Sequence, residues 1–140
     1  MRKRIDNTDC HCLKIRRSAE NVIRFYDDIL APSGITVRQQ SLLHAISGHE
    51  GCNVRELSEL TELDRSTLAR SLKPLLSAGL IYDAKEKNAR DSMLFLSEKG
   101  REVYDNAAKL WAEAQKQYEE KIGIEKIRTL EEILETLQYL

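Results

Sequence analysis

Two helix starts stand eleven residues apart near the middle of the chain, at Asn53 and Asp64, and that spacing restricts the fold more than any other feature. Asn53-Val54-Arg55-Glu56 has the pattern of a capping box: a side-chain acceptor, then an acidic residue three positions on. A short helix is expected from Val54 to about Thr61, with Leu57 and Leu60 facing inward. Asp64 is a good N-cap for the next helix, which carries Leu68, Leu72, Leu75 and Leu76. That helix ends at Ala78-Gly79, where glycine suits a left-handed cap. Pro74 inside it costs one backbone bond and bends the last turn, but the leucine stripe runs on through it.

Leu80-Ile81-Tyr82 and Met93-Leu94-Phe95-Leu96 then read as short strands around a polar connection, 83–91. In that connection Asn88 is the residue that best tolerates a left-handed turn. A short helix, a tight turn, a second helix and a hairpin make a winged helix-turn-helix.

The flanks are helical. Ile15, Ala19, Val22, Ile23, Tyr26, Ile29 and Leu30 form one stripe between Leu13 and Leu30, and Ala31-Pro32-Ser33-Gly34 breaks it. Thr36 and Gln39 pair as a second capping box before a helix with Leu42, Leu43 and Ile46 inside, ended by 48–51. From Ser97 a long helix carries Val103, Ala107, Leu110, Trp111, Ala114 and Tyr118 on one side. Gly123 interrupts it, and Ile127, Leu130, Leu134 and Leu137 mark a last amphipathic helix.

The expected fold is mainly α with a small β-hairpin wing. A chain of 140 residues, 41% apolar, fills one modest core and leaves its terminal stripes uncovered. Exposed stripes of that size ask for a partner, and an intertwined homodimer through the terminal helices is the economical solution. Residues 36–96 are then the reading module, and 1–35 with 97–140 the helical dimerisation region.

The formal charge of −1, from 22 basic and 23 acidic residues, excludes a globally basic tail and an acidic disordered chain. It conceals a division. From Arg65 to Arg90 six basic residues stand against two acidic ones, a local charge of +4, whereas 101–140 carries six against nine, or −3. No apolar run reaches the roughly 18–20 residues of a membrane span. The basic start MRKR has no apolar stretch behind it, unlike a signal peptide. Three cysteines, an odd number, fit reduced thiols in a cytoplasmic protein. With three histidines, scattered carboxylates and no glycine-rich phosphate loop, no constellation for catalysis emerges, and no cofactor is expected.

On the second helix of the pair, Arg65, Ser66, Thr67, Arg70 and Lys73 occupy the polar side that a major groove would meet. Arg70 suits a paired contact with a guanine edge, while Ser66 and Thr67 suit bases or phosphates. Lys85, Lys87 and Arg90 in the hairpin reach a neighbouring groove or backbone. Double-stranded DNA is the expected partner. The reading from another class is a winged helix that binds protein and no DNA, against which the +4 segment weighs.

Along nearly its whole length the chain resembles the MarR family of dimeric winged-helix transcription regulators. The resemblance rests on Leu63-Asp64-Arg65-Ser66-Thr67-Leu68 leading into Leu72, on Ala78-Gly79-Leu80-Ile81, and on Asn88-Ala89-Arg90 before 94–100, in order and with matching spacing. It implies base contacts around Arg70, Arg90 in the minor groove, and a repressor that binds a short pseudo-palindrome. Two departures stand out. Asn88 occupies the position where the family's wing usually has an aspartate that holds the arginine, and Glu62 lies where many relatives have a small residue.

Cys12, near the start of the first helix and close to Lys14, Arg16 and Arg17, sits where a helix dipole and cations favour a thiolate. It resembles the reactive cysteine of the family's hydroperoxide-sensing branch. That branch's tyrosine fourteen residues on corresponds to Tyr26, and its tyrosine four residues on is replaced by Arg16. Four readings stay open: a structural cysteine, an oxidant sensor at Cys12 with Cys10 as resolving thiol, a metal site at Cys10-His11-Cys12, and a small aromatic effector as inducer. His44 and His49 share no helix face well, so the metal reading lacks a second ligand cluster. Cys52 reads as structural.

Overall fold

The computed structural model describes residues 9–140, so the basic start MRKR lies outside the described residues. Six helices and one antiparallel hairpin follow in the expected order: α1 (His11–Leu30), α2 (Val37–Gly48), α3 (Val54–Thr61), α4 (Arg65–Ser77), β1 (Ile81–Asp83), β2 (Leu94–Leu96), α5 (Glu98–Ile122) and α6 (Ile124–Leu137). The mainly α, winged helix-turn-helix architecture read from the sequence is the one observed.

The helix starts are written in side chains. Thr36 accepts from the Gln39 amide while Gln39 returns a carbonyl to the Thr36 amide, so both halves of that capping box form. At α3 the Asn53 side chain accepts from the Glu56 amide at 2.8 Å. Asp64 caps α4 and Ser97 caps α5 in the same way. Between α1 and α2, Ala31–Ser33 forms one turn of 3-10 helix that Gly34 closes in the left-handed region, φ 83°.

Leu57, Leu68, Leu75, Leu43 and Ile46 are fully buried and form the centre of the reading module with Leu72, Leu80, Ile81 and Leu94. Pro74 has no N–H to give the Arg70 carbonyl four residues back, yet α4 continues to Ser77 because Leu72 and Leu75 on either side are locked in this core. The hairpin pairs Ile81 with Leu96, Tyr82 with Phe95 and Asp83 with Leu94. A third short segment joins it at Cys52, bridged antiparallel to Leu94.

Two leucines expected inside lie elsewhere. Leu60 is 45% exposed, because it borders a groove between α2, α3 and α4 instead of entering the core, and Leu76 is 43% exposed, one position past the buried Leu75. The terminal helices bury little within one chain. Leu30 is the buried residue of α1 and none is buried in α6, while Ile15, Val22, Ile124, Ile133 and Leu134 stay open.

The module is fastened to α5 by a latch at the end of α4. Gly79 takes φ 71° to turn the chain. The Ser97 amide donates to the Leu80 carbonyl at 2.9 Å and Lys99 Nζ to the Ala78 carbonyl at 3.2 Å. Arg101 Nη2 pairs with Glu50 Oε1 at 2.7 Å, while Glu50 Oε2 accepts from the Leu96 amide.

Candidate nucleic-acid interface

The apolar spacing of α4 decides where its polar residues point. With Leu68, Leu72 and Leu75 buried, a 100° step per residue places Ser66, Arg70 and Lys73 on the opposite, outward face, and all three are exposed. Arg65 and Thr67 fall on the two flanks.

On the wing flank, Arg65 meets Arg55 of α3 and Lys85 and Arg90 of the hairpin around one cleft of about 580 Å³, with Asn53 and Ser92 also in its wall. Four cationic side chains from three elements thus converge beside the start of α4. Arg55 was missed in the sequence because it sits inside a helix-start pattern, ahead of the basic segment, and of that pattern only the Asn53 half forms as a hydrogen bond. Its signal is positional, since only the fold brings the start of α3 against the wing.

Side-chain oxygens that accept from backbone amides hold the wing there. Asp83 Oδ1 accepts from the amides of Lys85, at 3.0 Å, and Met93, at 2.9 Å, which pins both strands at the wing's base. Ser92 Oγ accepts from the Val54 amide at 3.1 Å, filling an orphan donor of the α3 start and tying the wing to that helix. Asn88 takes φ 75°, the left-handed turn its side chain tolerates. Lys87 lies in that turn, exposed, and does not wall the cleft.

At the other flank Thr67 is half-buried and lines the groove that Leu60 borders, beside Arg38, Ser41 and His44. Its hydroxyl donates to Asp64 Oδ2 at 2.9 Å and that of Ser66 to Asp64 Oδ1 at 2.7 Å, while the Thr67 amide also donates to Oδ1. The Thr67 amide, then the two hydroxyls, with Arg70 nearby, hold the Asp64 carboxyl down at about 2.

The cysteine region is arranged differently. Cys10 is the N-cap of α1 and Cys12 lies in its first turn, both exposed. Tyr26 stands fourteen residues further along the same helix, about 21 Å away at 1.5 Å per residue, so one chain does not bring it to Cys12. The Tyr26 hydroxyl donates to Gln115 Oε1 of α5, and the ring packs edge-on to Phe25 and near Tyr118. Burial, then the neighbouring Tyr118 and Glu119, raise its pKa. Arg16 is engaged with Glu20 at 3.4 Å. Cys52 is buried, and desolvation with Glu56 and Glu50 nearby pushes its thiol up, which makes it a poor nucleophile. Among the described residues no three His, Cys, Asp or Glu side chains gather as for a metal ion. His44 Nδ1 instead shares a 2.6 Å hydrogen bond with the Tyr104 hydroxyl.

A sequence model of the MarR family matches residues 33–91, from just before α2 through β1 and the wing connection and stopping short of β2. The crystal structure of the M. tuberculosis transcriptional regulator MosR in complex with DNA is 30% identical, covers 94% of this chain and 97% of its own, and superposes with a TM-score of 0.78. The chain belongs to the MarR family. As a MarR-family protein it is also 30% identical over 93 residues to the HTH-type transcriptional regulator SarZ of Staphylococcus epidermidis, a match to 66% of this chain and 63% of SarZ. The match thus spans less than two thirds of that relative's length. The PcaV transcriptional regulator of Streptomyces coelicolor, in complex with its natural ligand, shares the fold, with a TM-score of 0.80 at 19% identity over 98% of this chain and 97% of its own.

Proposed function

We propose that this MarR-family chain is a sequence-specific DNA-binding transcription regulator, a repressor, which works as a cytoplasmic homodimer and not as an enzyme. The observation that carries the reading is the convergence of Arg55, Arg65, Lys85 and Arg90 on one cleft beside an outward face bearing Arg70 and Lys73. Positive charge on three elements around a helix start matches a phosphate backbone, and the outward face of α4 then lies in the major groove. Arg70 reads a guanine edge there, while Lys87 and Arg90 carry the wing along the duplex.

The open apolar residues of α1 and α6 support pairing with a second copy, with 36–96 as reading module and the outer segments as dimerisation region. The two-fold then relates two α4 helices, and half-sites fall about 10 bp apart. Release from DNA comes from a small aromatic effector or from oxidation of Cys12. In the second case the Cys12 thiolate attacks a hydroperoxide, leaving a sulfenic acid and an alcohol, and the Cys10 thiol then displaces water to close a disulfide.

Fluorescence anisotropy with a random duplex at low salt tests the reading. Binding that weakens steeply as salt rises is the expected result. Absence of salt-sensitive binding would instead favour a module that recognises protein.

A further inference from the structure

We infer that Asp64 sets the hydrogen-bond polarity of the reading face, so that Ser66 meets bases as an acceptor and selects an adenine or cytosine at its contact. The inference rests on the DNA-binding reading and adds what one position of the operator must be.

An ionised carboxylate can only accept, and a hydroxyl has a single proton. The Ser66 proton is committed to Asp64 Oδ1 at 2.7 Å and the Thr67 proton to Oδ2 at 2.9 Å. Each hydroxyl keeps lone pairs and has no proton left to give. Thr67 is half-buried and lines the groove beside α2, whereas Ser66 stands on the outward face with Arg70 and Lys73. Arg70 and Lys73 are donors only, suited to the acceptor edges of guanine and to phosphates. Ser66 is therefore the complementary element on that face. In the major groove, N–H groups are offered by adenine N6 and cytosine N4, while guanine O6 and thymine O4 offer lone pairs that would face those of Ser66. A serine with a free proton reads either kind of edge; this one is held to one kind by its neighbour. Asp64 is thus a positioning residue that touches no base.

Substitutions at Asp64 separate this role from simple capping. In Asp64→Asn the amide oxygen must stay on the Thr67 amide and Ser66 hydroxyl, because the –NH2 cannot accept, so Ser66 remains an acceptor. In Asp64→Gly the N-cap survives at small cost, and the Ser66 proton is released. Both remove the same charge, so any general electrostatic change is common to them.

The experiment is selection from a randomised duplex library, followed by anisotropy on single-base variants of the selected site, for the wild type, Asp64→Asn, Asp64→Gly, Ser66→Ala and Ser66→Thr. At one position per half-site the wild type, Asp64→Asn and Ser66→Thr are expected to prefer adenine or cytosine roughly tenfold over guanine or thymine. Asp64→Gly and Ser66→Ala are expected to lose that preference and keep the others. A Ser66-dependent preference for guanine or thymine would overturn the inference, as would a profile that Ser66→Ala or Asp64→Gly leaves unchanged at every position. Sequence-specific binding with either outcome leaves the DNA-binding reading standing; absence of any duplex binding removes both.

Discussion

Replacing Gly100 by alanine should break the latch between the reading module and α5. Gly100 is buried in the first turn of α5, where an added Cβ would stand 1.8 Å from the Leu80 carbonyl oxygen and 2.7 Å from its carbon. Ordinary contact begins at 3.4 Å, so the two backbones must part by about 1.6 Å. The Leu80 carbonyl accepts from the Ser97 amide at 2.9 Å, and the Gly79 carbonyl accepts from the Ser97 hydroxyl at 2.5 Å, so both bonds cross that gap. Separation therefore strains or breaks two hydrogen bonds, at about 1 kcal/mol each. Forced overpacking adds roughly 1–3 kcal/mol, for a loss of about 3–5 kcal/mol. Helix propensity acts the other way, because alanine in a helix is better than glycine by roughly 0.5–1 kcal/mol. The sign of the change is thus diagnostic. Urea unfolding at one fixed protein concentration measures it, concentration being held because self-association shifts apparent stability. Gly48→Ala is the control: that helical glycine has nothing within 4 Å of an added Cβ, and its substitution should be neutral or slightly stabilising. A Gly100→Ala loss below 1 kcal/mol, or a gain, would refute the reasoning.

The cleft and the cap make further predictions. Arg55→Ala should weaken duplex binding about evenly across sequences and reduce the slope of log affinity against log salt by roughly 1; an unchanged slope would remove Arg55 from the phosphate contacts. Because the folded Asp64 carboxyl is held at about 2, below its ordinary 3.8, its contribution to stability is complete above about pH 4 and is lost as pH falls through 2. Asp64→Asn should accordingly lose less stability than the wild type over that window when acid unfolding is followed by circular dichroism, and parallel curves would contradict the assignment. Mild hydroperoxide should release DNA from the wild type and not from Cys12→Ser; equal release from both would end the oxidant-sensor reading.

Most of the fold was legible because its element boundaries are set by local chemistry. The side chains of Thr36, Asn53, Asp64 and Ser97 each accept from an orphan amide, and such a bond depends on residues three apart in sequence. The outward face of α4 was legible for the same reason, since the leucines of one helix fix the opposite side. What stayed hidden depends on contacts between distant segments. The Cys52 bridge to Leu94, the pinning of the wing by Asp83 and the arrival of Arg55 beside Arg90 join residues some ten to forty positions apart. Leu60 was misplaced because helical periodicity locates a face without saying whether core or groove lies against it. The placing of Tyr26 on Gln115 was hidden in the same way, since periodicity gave its stripe and not its partner.

The central claim is that the outward face of α4 reads sequence, and the effect of Arg70→Ala on the selected operator tests it most directly. The account predicts a loss of about 1–3 kcal/mol in affinity, concentrated as relaxed preference at one guanine per half-site, with the rest of the profile intact. Unchanged affinity and an unchanged base profile would contradict it.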